Sequence, residues 1–270
     1  MILYEVSAFT RNGVGGNLAG VVLEHKLNND EMQEIAFKAA YSETIFLTML
    51  ENNIYKVQYF TPTEQIDFCG HASLAAAYLL FKNNQDCNKI EFITNNDNIF
   101  IEMINQKIYM KMPTINYLTN LDKKEIQNIF KIEEHNIINN PKIVETGIAD
   151  VMVRVDSLKT LQNLDINFEK IKQYSNKLNV TGIHVLAISK GKYYVRNFAP
   201  AVGINEESAT GTSNAGMYAY LLFTNTITID DEVSFLQGDL LDQPSTIKAT
   251  YHNDNIWISG ECSIKNSLKL

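Results

Sequence analysis

Phe60-Thr61-Pro62, leading through Cys69-Gly70-His71-Ala72 to Tyr78-Leu79-Leu80-Phe81, is echoed by Phe198-Ala199-Pro200, leading through Thr210-Gly211-Thr212-Ser213 to Tyr220-Leu221-Leu222-Phe223. The copies lie about 140 residues apart in a chain of 270, close to half its length. That spacing is the mark of a duplicated domain, with a small insertion between Pro200 and Gly211. In each copy a strand ends in F-x-P, an irregular loop follows, and a glycine opens a helix rich in Ala, Leu and Tyr.

Outward from these copies, alternation and β-rich composition mark strands at Ile2 to Phe9, Ala19 to Leu23, Thr44 to Leu50, Tyr55 to Phe60, Lys89 to Thr94, Ile99 to Ile104 and Lys107 to Met112. Helical periodicity in the first half is limited to Asn29 to Ala40, with the Asn and Asp before Met32 as the expected cap, and to the run after Gly70. A bridge rich in Asn, Thr and Asp spans Asn116 to Asp122. Helices are then expected at Lys123 to Phe130 and Phe168 to Leu178, and strands at Ile183 to Ser189, Tyr193 to Phe198, Glu232 to Leu236, Ser245 to Tyr251 and Asn255 to Ser259. Few helices among many strands in each half is an α+β pattern.

Composition narrows the partners. Apolar residues make up 45% and charged residues 20%, enough for a real core and no case for disorder. The formal charge of −8, with no stripe of Lys or Arg, argues against nucleic acid. The one sizeable apolar run, Ala72 to Phe81, is too short to cross a bilayer, and Met1 to Glu5 carries no secretory pattern, so a cytoplasmic protein without a membrane partner is expected. Cys69, Cys87 and Cys262 are odd in number and lack CxxC spacing, which leaves them as thiols.

A helix N-terminus presents unpaired N–H groups and the positive end of its dipole, so the two glycine-opened helices are candidate anion sites. The hydroxyls of Ser73, Thr212 and Ser213 can add donors or cap those helices; the plainer reading is of ordinary caps on two buried helices. Glu43, in Tyr41-Ser42-Glu43-Thr44-Ile45-Phe46-Leu47, stands where a helical segment meets an apolar strand. Partial desolvation there would raise its pKa toward a range useful for proton transfer. His71 follows Gly70 and is placed to donate to a carboxylate or shuttle a proton. Glu206 and Glu207 precede the second helix, with capping carboxylates as the default reading and Glu207 as an alternative partner of His71 across a pseudo-twofold cleft.

Several standard motifs fail. Gly13-Val14-Gly15-Gly16-Asn17-Leu18 lacks the third glycine of a dinucleotide fingerprint, and a strand follows it where a helix is needed. Gly211-Thr212-Ser213-Asn214-Ala215 has Ala where a nucleophile elbow needs Gly. Cys69 and His71 flank one glycine, but no further His or Cys completes a zinc set. No metal and no tightly bound cofactor are expected.

Taken in order, Ala8-Phe9-Thr10, Gly16-Asn17-Leu18-Ala19-Gly20-Val21-Val22, Ser42-Glu43-Thr44, Phe60-Thr61-Pro62 to Glu64, Phe68-Cys69-Gly70-His71-Ala72, Val195-Arg196-Asn197-Phe198-Ala199-Pro200, Gly203-Ile204, Glu207, Ala209-Thr210-Gly211-Thr212, Gln237-Gly238 and Pro244-Ser245 resemble the PhzF family of phenazine biosynthesis-like proteins. That family shares the fold of diaminopimelate epimerase. The resemblance implies two pseudo-symmetric domains, each a β-barrel-like sheet wrapped around a central helix, with the active site in the cleft between them. The expected boundaries are 1–115, which residues 260–270 are candidates to rejoin, and 116–259.

The resemblance also implies a cofactor-independent isomerase, commonly a homodimer, in which Glu43 moves a proton between carbons of a small amino- or hydroxy-substituted carboxylate, as in isomerisation of dihydro-hydroxyanthranilate. His71, Glu207 and Thr212 would bind and orient that substrate, and amides at Gly70 and Gly211 would hold its carboxylate. Asn17, Ala72, Ser73 and Thr210 complete the expected binding set. A C–H proton is weakly acidic, so a pre-oriented carboxyl and stabilisation of the delocalised anion are the equipment required. Related two-thiol racemases carry a Cys at each helix start. Here Cys69 holds the first place and Thr210 the second, which disfavours two-base chemistry. Leu18, Glu207, Ser208, Thr212 and Asp242-Gln243 stand where the family usually has Pro, Asp, Pro, Ser and Gly-Arg, so substrate identity is more open than reaction class. Two alternatives stand beside this reading: a metabolite-binding protein without turnover, and an epimerase that uses Cys69.

Overall fold

Residues 1–95 and 98–270 are described by the computed structural model. The chain divides into two compact units, Met1–Lys111 with Ser259–Leu270, and Met112–Ile258.

The first unit runs β1 (Ile2–Thr10), β2 (Asn17–Leu23), α1 (Asn29–Ala39), β3 (Glu43–Glu51), β4 (Ile54–Phe60), β5 (Gln65–Ile66), α2 (Gly70–Asn83), β6 (Lys89–Ile93), β7 (Asn98–Ile104) and β8 (Lys107–Lys111). The second runs β9 (Asn116–Asn120), α3 (Lys123–Phe130), β10 (Ile137–Glu145), β11 (Ala149–Val155), α4 (Leu158–Gln162), α5 (Phe168–Leu178), β12 (Gly182–Ser189), β13 (Lys192–Ala199), β14 (Ile204–Glu207), α6 (Gly211–Phe223), β15 (Val233–Gln237), β16 (Ser245–His252) and β17 (Asn255–Ser259). The last strand, β18 (Glu261–Lys269), rejoins the first unit and pairs antiparallel with β1.

The two units share one strand plan. In the first, β2 pairs parallel with β3, β3 antiparallel with β4, and β4 parallel with β6. In the second, β11 pairs parallel with β12, β12 antiparallel with β13, and β13 parallel with β15. Each parallel step needs a crossover, and in both units the second crossover carries the glycine-opened helix, α2 or α6. The registers match as well: Thr44 lies opposite Phe60, and Ile183 opposite Phe198. The repeated F-x-P thus fixes a residue-by-residue correspondence between the units.

Sheet and helix in each unit form layers. Helix α2 packs against β1, β2, β3, β7, β8 and β18, and its Ala72, Ala75, Ala76 and Ala77 are fully buried. Small side chains on every face let strands approach from several sides, which is why the helix is buried all round. Helix α6 packs against β10, β11, β12 and β16, with Gly211 to Leu221 buried.

The outer faces hold separate cores. Leu3, Val22, Phe46 and Phe60 meet Met32 and Ala36 of α1. Ile183, Val185 and Ala187 meet Ile126 and Phe130 of α3 and Ile171 and Tyr174 of α5. Strand parity then orients the site residues. Phe46 faces α1, so Glu43 and Ile45 face α2; Ile183 and Val185 face α3 and α5, so Gly182 and His184 face α6.

Three sequence expectations are corrected. The Asn116 to Asp122 bridge contains strand β9, paired with β10. The cap of α1 is Asn28, one residue earlier than the Asn and Asp expected, in a capping box with Glu31. Helices α2 and α6 have Cys69 and Thr210 as N-caps, and neither helix takes a side-chain cap. Among the described residues, no helix is long and apolar enough to cross a membrane.

Candidate active site

Glu43 opens β3 with its side chain toward α2, and His71 is the second residue of α2. Glu43 Oε2 lies 3.1 Å from His71 Nε2, with both side chains almost wholly buried. Among the described residues Oε2 receives no well-aligned hydrogen bond, so the contact is an ion pair. At the other ring nitrogen, Cys69 Sγ lies 3.4 Å and the Asn17 amide 3.3 Å from Nδ1. The strand–loop–helix passage from β4 to α2 places Cys69 as N-cap, so the thiol and the imidazole two residues later share one end of the helix.

Charge follows from this packing. Burial raises the pKa of Glu43, but the charge of His71 in close contact, with Ser42 and Cys69 also beside the carboxyl, outweighs it and holds the carboxyl below its ordinary range. The sequence-based expectation of a raised Glu43 is corrected: desolvation acts as foreseen, and the adjacent imidazolium overrides it. Burial opposes charge on His71, yet the Cys69 sulfur when ionised, and Glu43, raise its pKa well above the usual range. Burial and Glu43 push the Cys69 thiol up, so near neutral pH it is a thiol and the anion facing His71 is Glu43. Asn17 Nδ2 faces Nδ1 in the structure, whereas an imidazolium donates from both nitrogens and requires the amide turned so that its oxygen faces Nδ1.

The donor atoms of Glu43, Cys69 and His71 all lie within 4.8 Å of one another, a set able to hold a metal ion. The third donor, a carboxylate rather than a His or Cys, arrives from β3 and is far from Cys69 and His71 in sequence.

The remaining expected residues of the first unit sit around this pair. Gly70 and Ala72 flank His71 at the start of α2. Ser73 is fully buried, donates to the Cys69 carbonyl at 2.8 Å, and bonds the Tyr59 hydroxyl at 2.7 Å, so its hydroxyl serves the core.

In the second unit, Thr210 donates from Oγ1 to Glu207 Oε2 at 2.6 Å, and Gly211 and Thr212 open α6. The Thr212 carbonyl accepts from Thr146 at 2.8 Å, and Ser213 donates to the buried Asp150 at 2.5 Å. Glu206 is held apart from Glu207 by a bidentate pair with Arg196. Asp150, and the amide and imidazole side chains behind Thr210, were missed in the sequence, because their roles depend on strand partners far along the chain.

The shared register allows a direct comparison of the two units. Cys69 corresponds to Thr210, His71 to Thr212, and Glu43 to Gly182. A Cβ on Gly182 would stand 2.1 Å from the Phe198 carbonyl oxygen, so the second unit has no room for any side chain where the first carries its carboxylate. The titratable pair is built once, in the first unit.

A sheet of this order around a helix opened by glycine is the diaminopimelate epimerase-like fold. A family model for phenazine biosynthesis-like proteins, PhzC-PhzF, matches residues 6–265. The chain belongs to that family. It is 32% identical to an uncharacterised isomerase of Clostridium acetobutylicum, over 86% of this chain and 82% of that protein. It is 28% identical to the uncharacterised isomerase YddE of Salmonella typhimurium, over 97% and 95% respectively. The crystal structure of a PhzF-family phenazine biosynthesis protein of Bacillus anthracis superposes with a TM-score of 0.87, at 23% identity, over 100% of this chain and 98% of that one.

Proposed function

We propose that this protein is an isomerase that transfers a proton between carbons of a small amino- or hydroxy-substituted carboxylate, with Glu43 as the acid/base and no cofactor. The observation that carries the reading is the buried Glu43–His71 pair, present in the first unit and replaced in the second by Gly182 and Thr212. The names of the relatives, uncharacterised isomerases, support the same reaction class.

The lowered pKa of Glu43 means that the base form is the resting form at neutral pH. In the forward step a substrate C–H bond breaks, its electron pair delocalises into the conjugated carboxylate, and Glu43 takes the proton. His71, as imidazolium, neutralises charge beside the reacting atoms and stays protonated throughout. Glu43 then returns the proton to a different carbon, so the protein ends as it began.

A second reading is favoured by one contact, that of Cys69 Sγ with His71 Nδ1. Cys69 would then exchange the proton as a thiol, and alkylation prevented by substrate would reveal it. Its raised pKa leaves little thiolate near neutral pH, and Thr210 in the matching place supplies no second thiol, so this reading is the weaker one.

The test is incubation in D₂O with a panel of small carboxylates, including dihydro-hydroxyanthranilate and the common amino acids, followed by NMR. Wild type should incorporate carbon-bound deuterium, and Glu43→Gln should lose roughly 10²–10⁴ of the rate while remaining folded. Equal exchange by Glu43→Gln and wild type would sink the assignment of Glu43. Binding without exchange by either protein would favour a metabolite-binding protein.

A further inference from the structure

Behind the start of α6 lies a chain of buried polar side chains whose side-chain-to-side-chain hydrogen bonds all point one way. Asn197 and His184 face each other across β13 and β12. The Asn197 amide lies 3.1 Å from His184 Nδ1, and His184 Nε2 lies 3.3 Å from Asn214 Oδ1. Asn214 donates to Gln237 Oε1 at 2.8 Å and to the Thr210 carbonyl at 2.9 Å. Gln237 donates to Thr210 Oγ1 at 3.2 Å and to the Glu207 carbonyl at 2.8 Å, and its oxygen also accepts the Thr210 amide at 3.3 Å. Thr210 Oγ1 then donates to the Glu207 carboxylate. His184 and Asn214 are fully buried, and Gln237 and Asn197 are nearly so.

Backbone groups fix the direction of every link. The Thr210 and Glu207 carbonyls only accept, so they turn the amide nitrogens of Asn214 and Gln237 toward themselves. The Thr210 N–H only donates, so it takes the Gln237 oxygen. With the Asn214 oxygen left facing His184, the histidine must carry its proton on Nε2 and accept at Nδ1 from Asn197. Burial holds the pKa of His184 down to about 4, so the ring is neutral across the physiological range. The single formal charge along the chain is the Glu207 carboxylate at its end, and aligned hydrogen bonds polarise one another toward it.

The first unit shows what the fold alone requires at this place. There Ile45 stands where the second unit has His184, Tyr59 where it has Asn197, and Ser73 where it has Asn214. Tyr59 and Ser73 close the gap with two hydroxyls and end on the Cys69 carbonyl. A polar chain running to a carboxylate is therefore an addition in the second unit.

We propose that Asn197, His184, Asn214 and Gln237 are positioning residues that set the Glu207 carboxylate, acting on it through Thr210. The proposal rests on the reading of Glu207 as a substrate-orienting group, while the chain itself can be tested without any substrate.

The first measurement is the ¹⁵N spectrum of His184 in the wild-type protein, where the Nε2–H tautomer is expected; the Nδ1–H tautomer would reverse the chain and overturn the proposal. The second follows the Glu207 carboxyl ¹³C resonance, assigned by its loss in Glu207→Gln. It should move in Gln237→Met, Asn214→Leu and His184→Phe, return toward its wild-type position in His184→Gln, and stay put in Tyr218→Phe, on the same helix but outside the chain. Folded Gln237→Met and His184→Phe proteins with an unmoved Glu207 resonance would refute the proposal. Once a substrate is in hand, Gln237→Met should raise KM roughly tenfold with kcat little changed, and add nothing further in a Glu207→Gln background. Failure of all deuterium exchange would remove the isomerase reading and leave the tautomer and the carboxyl shift to decide the positioning chain by themselves.

Discussion

Glu43 and His71 form a buried ion pair, 3.1 Å between Oε2 and Nε2, in which each partner stabilises the charge of the other against desolvation. The pair thus rests as carboxylate on one side and imidazolium on the other, the state the proposed reaction starts from. Exchange should fall on the acid side only below the ordinary glutamate range, as Glu43 protonates. On the alkaline side it should fall only above the ordinary histidine range, as His71 loses its proton. The linkage signs agree. The contribution of Glu43 to stability is present above its unfolded value and lost as pH falls through the depressed native value; that of His71 is complete below its unfolded value and lost as pH rises through the raised native one. In His71→Gln the alkaline limb should disappear and the acid limb move to higher pH. Rate profiles of both proteins decide this, and an unchanged acid limb in the variant would contradict the pairing.

Metal dependence follows from the same contacts. Zinc could take Glu43, Cys69 and His71 together only by displacing the protons of the thiol and imidazolium and breaking the ion pair. Exchange activity should therefore survive exhaustive dialysis against a chelator and be inhibited by added zinc, more strongly as pH rises. Cys69→Ala should weaken that inhibition at least tenfold, because one of three ligands is gone. Activity lost on chelation and restored by zinc would turn the base mechanism into a metal-assisted one.

Much of the fold was readable where one physical pattern dominates. Helices α3 and α5 have strongly amphipathic sequences, and β3 and β4 carry the apolar, β-branched and aromatic content of strands. Two of the elements that escaped, β10 and β18, break those patterns. Strand β10 contains Asn139-Asn140-Pro141, with Asn139 in the left-handed region and a register shift across it, so alternation is lost in its middle. Strand β18 is polar and largely exposed, and its identity comes from pairing with β1 at the other end of the chain. At the site, Glu43 and His71 could be singled out because a carboxylate at an apolar strand start and a histidine after a helix-opening glycine are unusual. The sign of the Glu43 shift could not, since it depends on a contact made only when β3 lies beside α2. The chain behind Glu207 was hidden for the same reason, its links joining residues 13 to 30 apart in sequence except for the local steps around Thr210.

Asp150 presents an acid of opposite behaviour. It is fully buried, its pKa is raised to about 6 by desolvation despite hydrogen bonds from Ser213 and the Gly182 amide, and its Oδ1 has no partner. A carboxyl whose native pKa lies above its unfolded value costs stability progressively as pH rises from about 3.8 to about 6, reaching roughly 3 kcal/mol near neutrality. Asp150→Asn keeps an acceptor for Ser213 and removes the buried charge. It should raise Tm by several degrees near neutral pH, with the gain shrinking toward zero near pH 4. Thermal melts at the two pH values test this; destabilisation at neutral pH would show that the ionised carboxylate has a partner of its own.

Gly182 is where the duplicated units part company in chemistry. Its place on β12 matches that of Glu43 on β3, and both face the central helix of their own unit. At Gly182 the Phe198 carbonyl, on the neighbouring strand, approaches to 2.1 Å of where a Cβ would be, and the Ala199 Cα to 3.0 Å. Backbone cannot swing aside as a flexible side chain can, so even one methyl must push β12 and β13 apart. Gly182→Ala should destabilise the protein by about 2–4 kcal/mol, read as a drop in Tm or in the denaturation midpoint at unchanged m. Gly20→Ala, whose Cβ would meet side chains of Thr44, Tyr41 and Leu3, should cost less, because those atoms have room to give. If Gly182→Ala proved neutral, the strands would have the freedom to admit a side chain. The absence of a carboxylate at this place in the second unit would then need a reason other than steric exclusion. If it destabilises as expected, the second unit cannot acquire a base at this position without rebuilding its sheet.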